Sequence, residues 1–174
     1  SEREKLDVRR RPHACRFGMK IIERTATFSP CRTWRYSLLR RWAPGDYAMF
    51  IGLNPSTADE TQDDPTVRRC IRYAQSWGYG ALYMTNIFAY RATDPLVMKR
   101  FDDPIGPDNN ATLIRLAAHA GIVVAAWGVH GEHLGRGNAV RRFLHRMHVL
   151  KLTKGGYPCH PLYLKADLKP QPWE

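Results

Sequence analysis

The chain has 174 residues, enough for one domain that buries roughly two thirds of its unfolded surface, and 44% of them are hydrophobic. No apolar run reaches the about eighteen residues of a membrane-spanning helix, so the sequence predicts a soluble domain. Lys and Arg total 27 against 16 Asp and Glu, a formal charge of +11 and a pI near 9.9, which points to a polyanionic partner because each cation set near a phosphate releases condensed counterions.

Residues 1 to 20 are charged and without period, as expected of a mobile arm, and residues 21 to 174 are expected to form a single domain. The arm lacks an apolar h-region, so a cytoplasmic address is expected. "TATFSPCRTWRYSLLRRW", residues 25 to 42, alternates β-formers around a Ser-Pro-Cys turn and predicts an N-terminal β-hairpin flanking the core. "YAMFIGL" is a continuous apolar run ending in loop residues, as a strand buried on both faces reads. Asp64 and Pro65 then supply an N-cap and an N1 proline for a helix whose apolar positions are Val67, Ile71, Ala74 and Trp77.

"ALYMTNIF" is a second buried strand, and Asp108 is placed to cap a helix carrying Leu113, Ile114, Leu116 and Ala117, with Gly121 past its end. "IVVAAW" is the third strand, "NAVRRFLHRM" a helix, and "HVLKLT" the fourth strand, followed by the loop "KGGYPCHPLYL". Strands separated by helix-sized segments imply right-handed crossovers, hence an α/β fold of three layers, α/β/α, around a four-stranded, mostly parallel sheet. Ligands of such sheets bind beyond the carboxyl ends of the strands. That rule selects residues 54 to 56, 86 to 91, 127 to 131 and 160 to 164. Cys15, Cys31, Cys70 and Cys159 are widely spaced with no C-x-x-C pair. Free thiols are the expectation, with a four-cysteine iron-sulfur cluster as the alternative.

Several of these segments carry a resemblance. "GLNPS" resembles the first motif of the uracil-DNA glycosylase superfamily, in the G-[IM]-N-P-G form of its mismatch-specific and single-strand-selective branches. "LYMTNIFAYRAT" is similar to the strand that ends in that superfamily's base-reading Asn, "VVAAWG" to its third strand, and "VLKLTKGGYPCHPLYL" to the segment bearing the late motif H-P-S-P. The match in order and spacing runs from 48 to 165. "GLNPSTAD", "DDPT" and "NIFAYRATDP" also resemble a bacterial family of domains of unknown function.

The glycosylase resemblance implies a uracil-DNA glycosylase-like fold and a monomeric, cofactor-free and metal-free DNA glycosylase. Its chemistry requires a group to stabilise the departing base and a group to hold water. His160 is the candidate for the first role and Asn54 for the second, although an amide is no general base. Asn86 can donate and accept toward a flipped pyrimidine. Phe88, Tyr90 and Tyr73 are candidates to stack on it, with core packing as the alternative. Ser56 stands where the uracil-restricted branch has a bulky Tyr, leaving room for a substituent at C5 and admitting modified cytosine as well as uracil. Arg91, Thr93, Ser56 and Lys165 are candidate DNA contacts, and Leu162 and Tyr163 candidate wedges, since the motif here reads His160-Pro161-Leu162-Tyr163 without the usual serine. The expected duty is base excision in DNA repair or in antiviral defence against phage DNA. Two other readings remain open: a hydrolase or transferase of free nucleosides or nucleotides, and a nucleic-acid-binding module of the same fold without catalysis.

Overall fold

The computed structural model describes residues 19–174, so most of the expected N-terminal arm lies outside the described residues. Among them the chain runs β1 (Glu23–Phe28), β2 (Arg35–Arg41), β3 (Tyr47–Gly52), α1 (Pro65–Ser76), β4 (Ala81–Asn86), α2 (Pro95–Arg100), α3 (Asn109–His119), β5 (Ile122–Ala125), α4 (Arg136–Phe143), β6 (His148–Val149) and β7 (Gln171–Pro172). Short 3₁₀ turns occupy Val129–Gly135 and Pro161–Tyr163. No helix among the described residues is long and apolar enough to cross a membrane.

The sheet has seven strands in the order β1-β2-β4-β3-β5-β6-β7. Its centre, β4-β3-β5-β6, is parallel and consists of the strands expected from sequence. The four-stranded layout itself is corrected, because β2 pairs antiparallel with β4 and β7 antiparallel with β6. The hairpin is therefore part of the sheet and does not flank it. Its physical reason is visible in β2, where Arg35 through Arg40 are all buried. A strand covered on both faces must satisfy its backbone on both edges, and β1 and β4 provide them.

Alternation along β3 divides the core. Ala48 and Phe50 join Leu82, Met84 and Val124 beneath Val67, Ile71 and Ala74 of α1. Met49 and Ile51 join Val123 and Ala125 beneath Leu113 and Leu116 of α3 and Val140 of α4. Helices thus cover both faces, as right-handed crossovers require.

Helix starts followed local chemistry closely. Asp64 accepts from the Val67 amide at 2.8 Å and Pro65 opens α1. The same Asp-Pro signature starts α2, where Asp94 accepts from the Leu96 amide at 2.8 Å, a short helix that periodicity did not reveal. At α3 the Asp108 side chain makes no capping bond; its carbonyl instead accepts from the Thr112 amide and hydroxyl. α4 begins two residues before the expected Asn138 and stops at Phe143, short of Met147. Arg146 adopts a left-handed conformation, φ 63°, as the chain turns into β6.

The expected strand "HVLKLT" contracts to His148–Val149. Its neighbour β5 ends at Ala125, leaving nothing to pair with beyond. Lys151 to Thr153 fold back on Tyr157 to Cys159 through a Leu152–Pro158 bridge and the bonds Thr153 N–H to Tyr157 O and Cys159 N–H to Lys151 O. That reversal, turned at Gly155-Gly156, carries His160 back to the carboxyl ends of the parallel strands.

Candidate active site

The order β4-β3-β5 means that the chain leaves β3 first to one side and then to the other. The crevice this produces lies at the carboxyl ends of those strands, where doubly wound sheets bind ligands. A cleft of about 810 Å³ opens there, lined by the loops after β3, β4, β5 and β6. All four segments selected from the sequence contribute to it.

Its floor is the end of β3 and β4. Gly52 is glycine because of a close approach: a Cβ there would lie 2.9 Å from Asn86 Oδ1. The apolar run therefore stops where β4 must set a polar side chain against β3. Asn86 is only 3% exposed, and its Nδ2 has no hydrogen-bond partner. A buried donor left unsatisfied costs about 1–3 kcal/mol, which an acceptor on a ligand relieves. The end of β4 is held from behind by Asn109 Nδ2, which donates to the Asn86 and Ile87 carbonyls at 2.9 and 3.1 Å, and by Arg136 Nε, which donates to the Ile87 carbonyl at 2.7 Å.

Asn54 follows β3. Its Nδ2 donates to the Ala92 carbonyl at 2.7 Å and to the Pro55 carbonyl at 3.2 Å, while the Ala92 amide donates to the Pro55 carbonyl at 3.0 Å. With the amide nitrogen committed, Oδ1 is the group left to accept. Ser56 and Thr93 face one another across the cleft mouth, with their hydroxyl oxygens 3.3 Å apart.

His160 lies at the rim, where solvent reaches the ring through the open cleft. Its Nδ1 accepts from the Leu162 amide at 3.2 Å, so the neutral imidazole carries its proton on Nε2. Desolvation lowers its pKa below the ordinary histidine value, and the charge of Asp64 opposes that shift. Both the hydrogen bond and the desolvation favour the neutral ring. The segment beyond is anchored to α1: Arg69 donates to the Leu164 carbonyl, and the Tyr73 hydroxyl to the Lys165 carbonyl at 2.5 Å.

Of the residues selected from sequence, Asn54, Ser56, Asn86, Thr93, His160, Leu162 and Tyr163 line the cleft. Tyr163 is 91% exposed, as a wedge must be. The three stacking candidates lie outside the lining. Phe88 is wholly buried in the α3 face of the core, Tyr90 stacks on Phe101 at 3.9 Å, and Tyr73 stacks with Phe50 and Trp77. Core packing is what each of them does here. Arg91 stands over the Phe28 ring at 4.8 Å, and Lys165 is exposed beside Leu164; neither lines the cleft. The aromatic side chains that do so are Trp127 and Tyr163.

Two charged residues that sequence reasoning did not assign to the site also line it, Arg35 and Asp64. Arg35 is 2% exposed, donates from NH1 to the Ala58 carbonyl at 2.8 Å, and has no partner on Nε. Burial lowers its pKa to about 10, against the pull of Asp64. No local signal marks Arg35, since its alternation in β2 reads like any other strand position. Asp64 was legible only as a helix cap.

A smaller cavity of about 340 Å³ lies between Trp127, Glu132, Arg141, Tyr157 and Trp173. There Tyr157 donates to Glu132 at 2.7 Å, and Arg141 stands over Trp173 at 3.7 Å and donates to the Glu174 carbonyl. The larger cleft is the one with unsatisfied donors. Among the described residues no three of His, Cys, Asp and Glu gather as a metal site would require.

The fold and site thus define a mixed α/β protein with a mainly apolar cleft, carrying a few convergent polar groups, at the carboxyl ends of its parallel strands. The chain belongs to the family described as "Protein of unknown function (DUF1643)", which matches residues 35–162. That span runs from the start of β2 to the turn after His160 and includes every cleft residue but Tyr163. No curated protein and no solved structure matches the chain.

Proposed function

We propose that the protein is a monofunctional DNA glycosylase that hydrolyses the N-glycosidic bond of a flipped pyrimidine, uracil or a 5-substituted cytosine, in repair or in antiviral defence. The observation that carries this reading is the convergence of Asn54, Asn86 and His160 on one cleft with their hydrogen-bonding capacity already sorted. Asn54 retains an acceptor for water, Asn86 an unused donor for a base carbonyl or ring nitrogen, and neutral His160 an Nε2–H for the oxygen on which charge develops. The resemblance of "GLNPS", "LYMTNIFAYRAT" and "VLKLTKGGYPCHPLYL" to glycosylase segments falls on these same residues. A cleft of about 810 Å³ admits a whole nucleotide.

The test is incubation with oligonucleotides carrying uracil, 5-hydroxymethylcytosine or glycosylated cytosine, with free base read by mass spectrometry. Release of one of these bases is the expected result; intact DNA throughout, with a free nucleoside hydrolysed instead, assigns the cleft to a nucleoside hydrolase. Ser56 sets the C5 side of the choice. The parent prefers the bulky 5-substituted cytosine over uracil in matched oligonucleotides, and Ser56→Tyr, which fills the cleft mouth beside Thr93, reverses the preference by at least about tenfold, the discrimination a pocket contact of 1–3 kcal/mol provides. An unchanged ratio removes Ser56 from the pocket.

The charge of +11 gives a second expected result. The logarithm of DNA affinity falls linearly with log salt, with roughly one unit of slope for each phosphate contacted; a loss of about a thousandfold between about 50 and 200 mM corresponds to roughly six contacts. Binding that is indifferent to salt over this range argues for a small-molecule substrate.

A further inference from the structure

The consecutive acids Asp63 and Asp64 have different fates. Asp63 is neutralised by Arg40 Nε at 2.8 Å and by Arg24 NH1 at 3.3 Å, on the sheet side of the loop. Asp64 makes no ion pair among the described residues, and it is the one carboxylate among the residues lining the cleft. One of its oxygens accepts the Val67 amide at the start of α1, which holds the side chain in place and leaves the other oxygen without a protein partner. The charge is felt across the cleft, where it acts on both His160 and Arg35. Arg35, on the cleft wall, is the cation whose charge opposes it, and the two make no ion pair.

Glycoside cleavage needs a proton acceptor that Asn54 cannot be, since an amide has no basicity at neutral pH. We propose that Asp64 is the general base of this cleft, accepting the proton of the attacking water while Asn54 Oδ1 orients that water. The assignment rests on the glycosylase reading above and adds a residue to it.

The step balances. The water oxygen bonds to C1′, the C1′–N bond breaks with its electron pair leaving on the base, and the water proton passes to the Asp64 carboxylate. His160 Nε2–H donates to the base oxygen bearing the charge. The base anion then takes a proton from solvent, and Asp64 returns its own. The carboxylate also faces the positive charge that develops on the sugar, an arrangement that an amide at residue 54 does not offer.

The discriminating variant is Asp64→Asn. Asn and Asp are equivalent N-caps, so α1 keeps its first turn and a purely structural role predicts wild-type behaviour. As general base, its loss lowers single-turnover base release by about a hundredfold or more. The unfolding midpoint and the affinity for the same modified oligonucleotide stay at parental values. Asp64→Ser, which retains a capping hydroxyl and opens space, recovers part of the lost rate on addition of formate, which stands in for the missing carboxylate; the parent gains nothing from it. Parental rates in Asp64→Asn overturn the assignment. So does a rate loss matched by lost DNA binding or lost stability, which returns Asp64 to a binding or capping role. If the parent protein releases no base from any modified DNA, the glycosylase reading itself fails and Asp64 falls with it, whereas an active parent with an equally active Asp64→Asn removes Asp64 alone.

Discussion

His160→Ala is expected to slow single-turnover base release by two to three orders of magnitude, the loss of about 3–4 kcal/mol that follows removal of one oxyanion donor. The size of the effect rests on how the ring is held. Nδ1 is occupied by the Leu162 amide, so the only N–H of the neutral ring is on Nε2, and desolvation moves its pKa below the ordinary histidine value. A neutral donor aimed at a developing negative charge gains most in the transition state and little in the ground state, so kcat falls while affinity for DNA persists. Stability changes little, because the side chain caps only the short turn Pro161–Tyr163, and the segment beyond is held by Arg69 and Tyr73. The measurement is base release under single turnover with circular dichroism as a control. A folded variant with parental rates removes His160 from the chemistry.

Arg40→Met is expected to destabilise the protein by about 3 kcal/mol, because it leaves the Leu39, Asp59 and Gln62 carbonyls without their buried donor and Asp63 with only the more exposed Arg24. Arg40 is wholly buried in β2, yet its guanidinium is fully engaged. Nε meets Asp63 at 2.8 Å, NH1 donates to the Leu39 carbonyl at 3.0 Å, and NH2 donates to the Asp59 and Gln62 carbonyls. The side chain therefore ties the loop from Asp59 to Asp63 onto the sheet. That loop leads directly into Asp64 and α1, so the cleft wall loosens with it. For a chain of this length the expected fall in Tm is on the order of 10 °C, read by thermal or urea unfolding. A change below about 1 kcal/mol would mean that the loop is held by its own turn, in which Asp59 accepts from the Thr61 and Gln62 amides. Base release by the variant is expected to fall further than its folded fraction, since Asp64 and the Ala58 carbonyl that holds Arg35 both ride on this loop.

Much of this architecture is legible in the sequence because it is encoded locally. The apolar runs at 47 to 53, 81 to 88 and 122 to 127 read as strands covered on both faces, and Asp64-Pro65 ahead of a helical apolar period marks the start of α1. Their alternation with helical segments places residues 54 to 56, 86 to 91, 127 to 131 and 160 to 164 at one end of a parallel sheet, and part of each segment lines one cleft there. Other features depend on partners distant in the chain. Nothing in "RYSLLRR" states that β2 will complete the edge of β4, or that Arg40 will find Asp63, because strand pairing and buried ion pairs are settled by what else needs covering. The same holds for Tyr73, Tyr90 and Phe88. An aromatic ring near a strand end suits a core and a binding cleft equally well, and only the packing of Trp77, Phe101 and the α3 face took these rings inward. Asp64 is the converse case. Its capping role is local and was read correctly, but a cap uses one oxygen, and the direction faced by the other was decided when α1 packed beside the loop that returns His160 to the cleft.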